Sequence, residues 1–181
     1  MGHKTKKDTT PKTKHLKDYL PPQYLISDIE LTIDLSKTLT TVHSKLILTQ
    51  NTSTPHPIQL DGHHLTLCKV IYNHKTLTPS DYEVTPTSLI IPNSEKKVTL
   101  EIVTQLNPSQ NLALEGLYLS NGILCTQNEP EGFRRLTYFI DRPDIMSLFT
   151  VTLRADKTEF PYLLSNGNLI NKKNYPIITM N

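Results

Sequence analysis

Ile29-Glu30-Leu31-Thr32-Ile33-Asp34-Leu35 alternates apolar and polar side chains without a break. Successive side chains on a strand point to opposite faces, so this pattern predicts a strand with one face buried and one wet. Residues 41–49, with Val42 and Leu46-Ile47-Leu48, predict a second strand. Ser36-Lys37-Thr38 would then be the turn of a long hairpin. Val98-Thr99-Leu100-Glu101-Ile102-Val103 alternates again. Between these lie a short strand over 58–60 ending at Asp61-Gly62, and one over 65–72 before the turn Asn73-His74-Lys75. A small hairpin over 82–84 and 88–91 follows. No segment before residue 105 carries a helical period, and turn signals recur about every 8–12 residues, the spacing of an antiparallel sandwich or barrel.

Composition agrees with that pattern. The 181 residues include 24 Thr, 13 Pro, 6 Gly and no Trp. Thr is β-branched and suits a half-solvated pleated surface, and Pro punctuates loops and sheet edges. The length suits one domain. The second half is less regular. Residues 112–119, 123–127, 150–155 and 162–164 predict further short strands. Pro143 in Asp141-Arg142-Pro143-Asp144 suits the first turn of a short helix running through Ser147 or Leu148.

Charge is unevenly placed. Residues 1–18 hold six Lys and two Asp, whereas the remainder of the chain is slightly acidic. The segment 1–18 is expected to be disordered. It reads as a solvated leader; the competing reading, an arm for nucleic acid, lacks Arg and any aromatic platform for stacking. No stretch approaches the ~18 apolar residues of a membrane span. The expectations are a cytoplasmic protein with no nucleic-acid and no membrane partner.

Two cysteines, Cys68 and Cys125, are too few for a disulfide framework, and both read as core residues of strands. The seven His all lie between residues 3 and 74, and none is followed by Glu, so there is no H-E-x-x-H. His63-His64 is the only adjacent pair and reads as a turn or surface feature, not a metal site. The chain has no C-x-x-C, no Gly-rich phosphate loop and no G-x-S-x-G.

Chemistry concentrates between residues 115 and 144. Glu115, Glu129, Glu131, Asp141 and Asp144 sit among Arg134, Arg135 and Arg142. Two readings stand: a network of ion pairs and turns, or carboxylates that work on a ligand. Gln127-Asn128-Glu129 suits an ammonium group, with Glu129 supplying charge and the Gln127 amide oxygen a further acceptor.

Four segments resemble the aminopeptidase N family. Asn111-Leu112-Ala113-Leu114-Glu115-Gly116-Leu117-Tyr118 is similar to its N-T-A-L-E-G-L-Y. Residues 124–134, Leu-Cys-Thr-Gln-Asn-Glu-Pro-Glu-Gly-Phe-Arg, are similar to L-C-T-Q-x-E-x-E-G-F-R. Asp141-Arg142-Pro143-Asp144 and Leu163-Leu164-Ser165-Asn166-Gly167-Asn168 correspond to D-R-P-D and L-L-S-N-G-N. Residues 24–35 fit the opening strand. The blocks keep order and spacing over about residues 20–170.

The resemblance implies the N-terminal domain of a zinc-dependent aminopeptidase: an all-β, mainly antiparallel, saddle-shaped and sandwich-like domain over 19–170, with its last strands missing. A divergent tail over 171–181 and the Lys-rich 1–18 flank it. It implies a truncated or split chain without its own catalytic centre, because the family's zinc ligands, general base and G-A-M-E-N motif have no counterpart here. Zinc would be bound by the absent catalytic domain and by nothing in this chain. The partners implied are a peptide N-terminus, once a catalytic domain complements the chain, and a separate chain carrying that domain. The family's Q-x-E falls on Gln127 and Glu129: Glu129 would help hold the substrate's α-ammonium and Gln127 would line the pocket for the first side chain. Pro130, after Glu129, departs from the family pattern and would stiffen the loop. The other reading of Glu129 is a turn carboxylate paired with Arg134 or Arg142. The other reading of the whole chain is a non-enzymatic β module that binds protein or glycan.

Overall fold

A computed structural model describes residue 13 and residues 15–174. Eleven strands occur among these residues: β1 (Tyr24–Asp34), β2 (Thr40–Gln50), β3 (Ile58–Asp61), β4 (Thr66–Tyr72), β5 (Lys75–Thr76), β6 (Glu83–Val84), β7 (Ser88–Ile91), β8 (Lys97–Leu106), β9 (Gly116–Ser120), β10 (Ile123–Gln127) and β11 (Leu148–Arg154). A six-stranded sheet runs β11-β1-β2-β8-β4-β5, a three-stranded sheet β3-β7-β6, and β9 and β10 form a separate hairpin. All pairs are antiparallel except β1 with β11. The fold is all-β and mainly antiparallel, as the alternation predicts.

The large sheet buries one face against the small one. Leu31, Val42, Leu46, Leu48, Leu100 and Ile102 meet Ile58, Leu60, Leu89 and Ile91 in one apolar cluster. Alternation alone does not explain β1, where Tyr24 and Ile26 are buried and so are Ile29, Leu31 and Ile33. Its register against β2 shifts by one residue between Ile26 and Asp28. That bulge restores parity, so apolar residues on both sides of it reach the same core. Ser44 and Thr104 also face inward. Their hydroxyls are used: Ser44 Oγ lies 3.0 Å from Thr137 Oγ1, and Thr104 Oγ1 donates to the Leu136 carbonyl at 3.4 Å. Both contacts tie the segment after the β9–β10 hairpin to the core.

Four expectations need correction or restriction. Residues 143–148 form no helix. Arg142 grips Asp144, and Ser147 Oγ donates to the Ile26 carbonyl at 2.7 Å, which steers the chain directly into β11 beside β1. Residues 162–164 form no strand: Tyr162 and Leu164 are exposed, and the segment has no ladder partner among the described residues. Cys68 is exposed, because the β4–β8 register shifts between Leu67 and Lys69 and turns it outward; Cys125 is half-buried. The segment 1–18 lies mostly outside the described residues, and within it Leu16–Asp18 form a single exposed 3-10 turn.

Candidate functional site

The β9–β10 hairpin places the candidate residues. Asn121 and Gly122 both take positive φ (48° and 84°), the pairing that a tight two-residue hairpin turn demands. Gly116 opens β9 opposite Gln127, which closes β10. From Gln127 the chain makes a tight loop: Gly132 N–H donates to the Asn128 carbonyl at 2.8 Å, and Gln127 Nε2 donates to the Glu129 carbonyl at 3.0 Å. The structure therefore brings Gln127 and Glu129 together at one end of the hairpin, with both side chains exposed.

Behind the loop the chain is firmly held. Phe133–Arg135 form a 3-10 turn. The Phe133 ring meets Phe139 edge-on at 5.0 Å and Phe149 at 5.8 Å, binding this turn to β11. Arg134 donates through its backbone N–H and its Nε to Asp141 Oδ2, at 3.1 and 2.9 Å, and through a terminal nitrogen to the Asp141 carbonyl at 2.9 Å. Asp141 N–H in turn donates to Asp61 Oδ2, so the three-stranded sheet joins the same network.

The charges sort into pairs. Arg135 binds Glu115 at 2.8 Å, Arg142 binds Asp144 at 2.6 Å, and Arg134 binds Asp141 with Glu131 at 3.7 Å. The Arg142 contact holds the Asp144 carboxyl below its ordinary range against the opposing effect of burial, helped by a hydrogen bond from Tyr19. His63 donates its N–H to the Arg134 carbonyl at 2.9 Å, and its imidazole is pushed down by burial, then by the Arg134 and Arg135 charges. Among the described residues Glu129 has no ion-pair partner. The alternative in which it pairs with Arg134 or Arg142 is not realised; those cations are engaged by Asp141, Glu131 and Asp144.

Two glycines escaped the residue-type reading. Gly116 and Gly132 bring three backbone segments into contact. A Cβ on Gly132 would lie 2.3 Å from the Gln127 carbonyl oxygen and 3.1 Å from Gly116 N. The signal was present only as one Gly in the L-E-G-L-Y block and one in the G-F-R block, with nothing to say what each approaches.

No three His, Cys, Asp or Glu among the described residues are grouped to hold a metal ion. The zinc implied by the resemblance finds no donor set among the described residues, and no chemical step is derived through it. Nor do the described residues include a helix long and apolar enough to cross a membrane. A cleft of about 500 Å³ opens beside the hairpin, bordered by His63, Asn107, Asn111, Leu117 and Arg135, and neither Gln127 nor Glu129 lines it. The candidate pair therefore stands on an open surface and can form one wall of a site.

The profile of the peptidase M1 N-terminal domain matches residues 20–177. The chain is 41% identical over 160 residues to aminopeptidase N of Escherichia coli, covering 88% of this chain and 18% of that protein. A crystal structure of Legionella pneumophila aminopeptidase A in complex with aspartic acid superposes with a TM-score of 0.83 at 36% identity, over 91% of this chain and 20% of that one. The M1 zinc metallopeptidase of Deinococcus radiodurans superposes at 0.63 over 75% of this chain and 33% of that one; its 15% identity makes this a likeness of fold. The chain thus spans about a fifth of the length of its curated relatives.

Proposed function

This chain belongs to the family of peptidase M1 N-terminal domains, and we propose that it anchors the free α-ammonium group of a peptide for an aminopeptidase whose catalytic centre is built from other residues. One observation carries the reading. Of the five carboxylates between residues 115 and 144, four are held by arginines, and among the described residues Glu129 alone is exposed without an ion-pair partner. A site that prefers a free N-terminus needs such a group. A carboxylate gives an ammonium a charge-assisted hydrogen bond, and an N-acylated peptide has no cation to offer. Gln127, one pleat away on the same loop, borders the first side chain.

In open water the contact is weak, on the order of 0–1 kcal/mol. It strengthens when a second wall excludes solvent and lowers the local dielectric. That wall, with its zinc and general base, is assigned to a catalytic portion, on the same polypeptide or on a separate chain. The lack of a membrane-length helix among the described residues is compatible with a cytoplasmic setting.

The test is a hybrid enzyme in which residues 20–177 replace the matching segment of the Escherichia coli relative. Glu129→Gln removes a hydrogen bond to a charged group, worth about 1.5–3 kcal/mol, so KM for leucine p-nitroanilide should rise roughly ten- to hundredfold. A KM within about twofold of the parent hybrid, well under 1 kcal/mol, would remove the reading.

A further inference from the structure

We propose that Gly132, backed by Arg134, is the positioning residue that aims Glu129; this rests on the anchoring role proposed for Glu129. Gly132 has φ −93° and ψ −17°, a conformation open to any L-residue, so its backbone does not require glycine. Space does. The three atoms nearest a Cβ at this position are the Gln127 carbonyl oxygen at 2.3 Å, Asn128 Cα at 2.9 Å and Gly116 N at 3.1 Å, and all three are backbone. None can swing aside as a side chain would. Gly116 repeats the constraint from β9, since a Cβ there would lie 2.7 Å from Arg135 Cβ and 3.1 Å from the Gly132 carbonyl oxygen.

The fixed and the yielding side of this contact are unequal. Residues 133–135 are held by the Phe133 ring contacts and by Arg134, whose side chain is only 14% exposed and which makes three hydrogen bonds to Asp141. Gln127 and Glu129 are exposed and Asn128 is half-buried; the Gln127 side chain spans to the Glu129 carbonyl, and among the described residues the buried Asn128 Oδ1 has no hydrogen-bond partner. A methyl group at 132 therefore displaces the exposed side. Opening the contact from 2.3 Å to the 3.4 Å of ordinary packing moves the Gln127–Asn128 peptide by about 1 Å. Glu129 follows directly. A misplacement of about 1 Å in a group that orients substrate can cost up to on the order of a hundredfold, and for an anchor that holds the bound peptide that cost falls on KM.

Two measurements test this. In the full 181-residue chain, Gly132→Ala should move the amide resonances of residues 127–131 and leave those of β1, β2 and β8 in place. In the hybrid enzyme, Gly132→Ala should raise KM for leucine p-nitroanilide about tenfold or more, with kcat changed less than about threefold. In a Glu129→Gln background the same change should add less than about twofold, because the carboxylate it misaims is gone. Arg134→Lys keeps the charge and adds no atom to the crowded side; it should raise KM in the same direction, and it carries the test if Gly132→Ala abolishes a cooperative melt. An unchanged KM in a folded Gly132→Ala hybrid, or an effect fully additive with Glu129→Gln, would overturn the positioning role while leaving the anchor intact. An unchanged KM in Glu129→Gln itself would remove the anchor, and this role with it.

Discussion

Asp141→Ala should be the most damaging single change behind the candidate loop. The Asp141 side chain is 10% exposed and that of Arg134 14%. One carboxylate oxygen accepts both the Arg134 backbone N–H and its Nε. Alanine leaves the buried guanidinium only the exposed Glu131, at 3.7 Å, as counter-charge and leaves the N–H without an acceptor. Removing one partner of a buried, hydrogen-bonded pair costs about 3–5 kcal/mol. At about 2–4 °C per kcal/mol for a chain of this size, the melting temperature should fall by roughly 6–20 °C. The double variant Asp141→Leu with Arg134→Met removes both charges together. It should recover much of the loss, retaining mainly the cost of the unsatisfied N–H, about 1–3 kcal/mol. Circular dichroism melts of the three proteins at one pH decide the matter. A fall under about 3 °C for Asp141→Ala, or a double variant as unstable as the single one, would refute the argument that a buried pair holds this turn.

Other consequences can be checked as simply. The depressed His63 pKa, caused by burial and then by Arg134 and Arg135, means that the folded chain binds fewer protons at this site than the unfolded one. Its contribution is present above the unfolded value of about 6.5 and is lost as pH falls through the lower folded value. Urea midpoints should therefore drop between about pH 7.5 and pH 5.5, and drop less in His63→Gln; equal drops would contradict this. Gly62→Ala places a methyl 2.2 Å from the buried Tyr138 ring and should cost about 1–3 kcal/mol by overpacking, read from a denaturant midpoint; an unchanged midpoint would show that the ring can give way. The full 181-residue chain with added zinc should not hydrolyse leucine p-nitroanilide, since no His in it is followed by Glu to begin an H-E-x-x-H. Turnover would place a catalytic centre where none is expected.

Much of the architecture was legible from period-two alternation, because β1, β2 and β8 each have one wet face and one buried face. The failures share a cause. The bulges near Ser27 and Cys68 are events of pairing with a neighbouring strand, and the local sequence does not announce them. Pro143 reads as a helix start in isolation; the Arg142–Asp144 contact and the pull of Ser147 toward β1 override it. Residues 162–164 have strand composition, yet a strand exists only with a partner. At the site, the resemblance singled out Gln127 and Glu129, and residue chemistry found the cluster of charges. Which arginine takes which carboxylate was not legible. That pairing joins residues such as Glu115 and Arg135 across distances set by the fold. It is also the pairing that leaves Glu129 without an arginine partner among the described residues.

The most direct measurement is a crystal structure of the hybrid enzyme with free leucine bound. The Glu129 carboxylate should lie about 3 Å from the leucine ammonium, with Arg134 still on Asp141 and Arg142 still on Asp144. A Glu129 side chain turned to solvent, or paired with either arginine while leucine is bound, would contradict the proposed anchor.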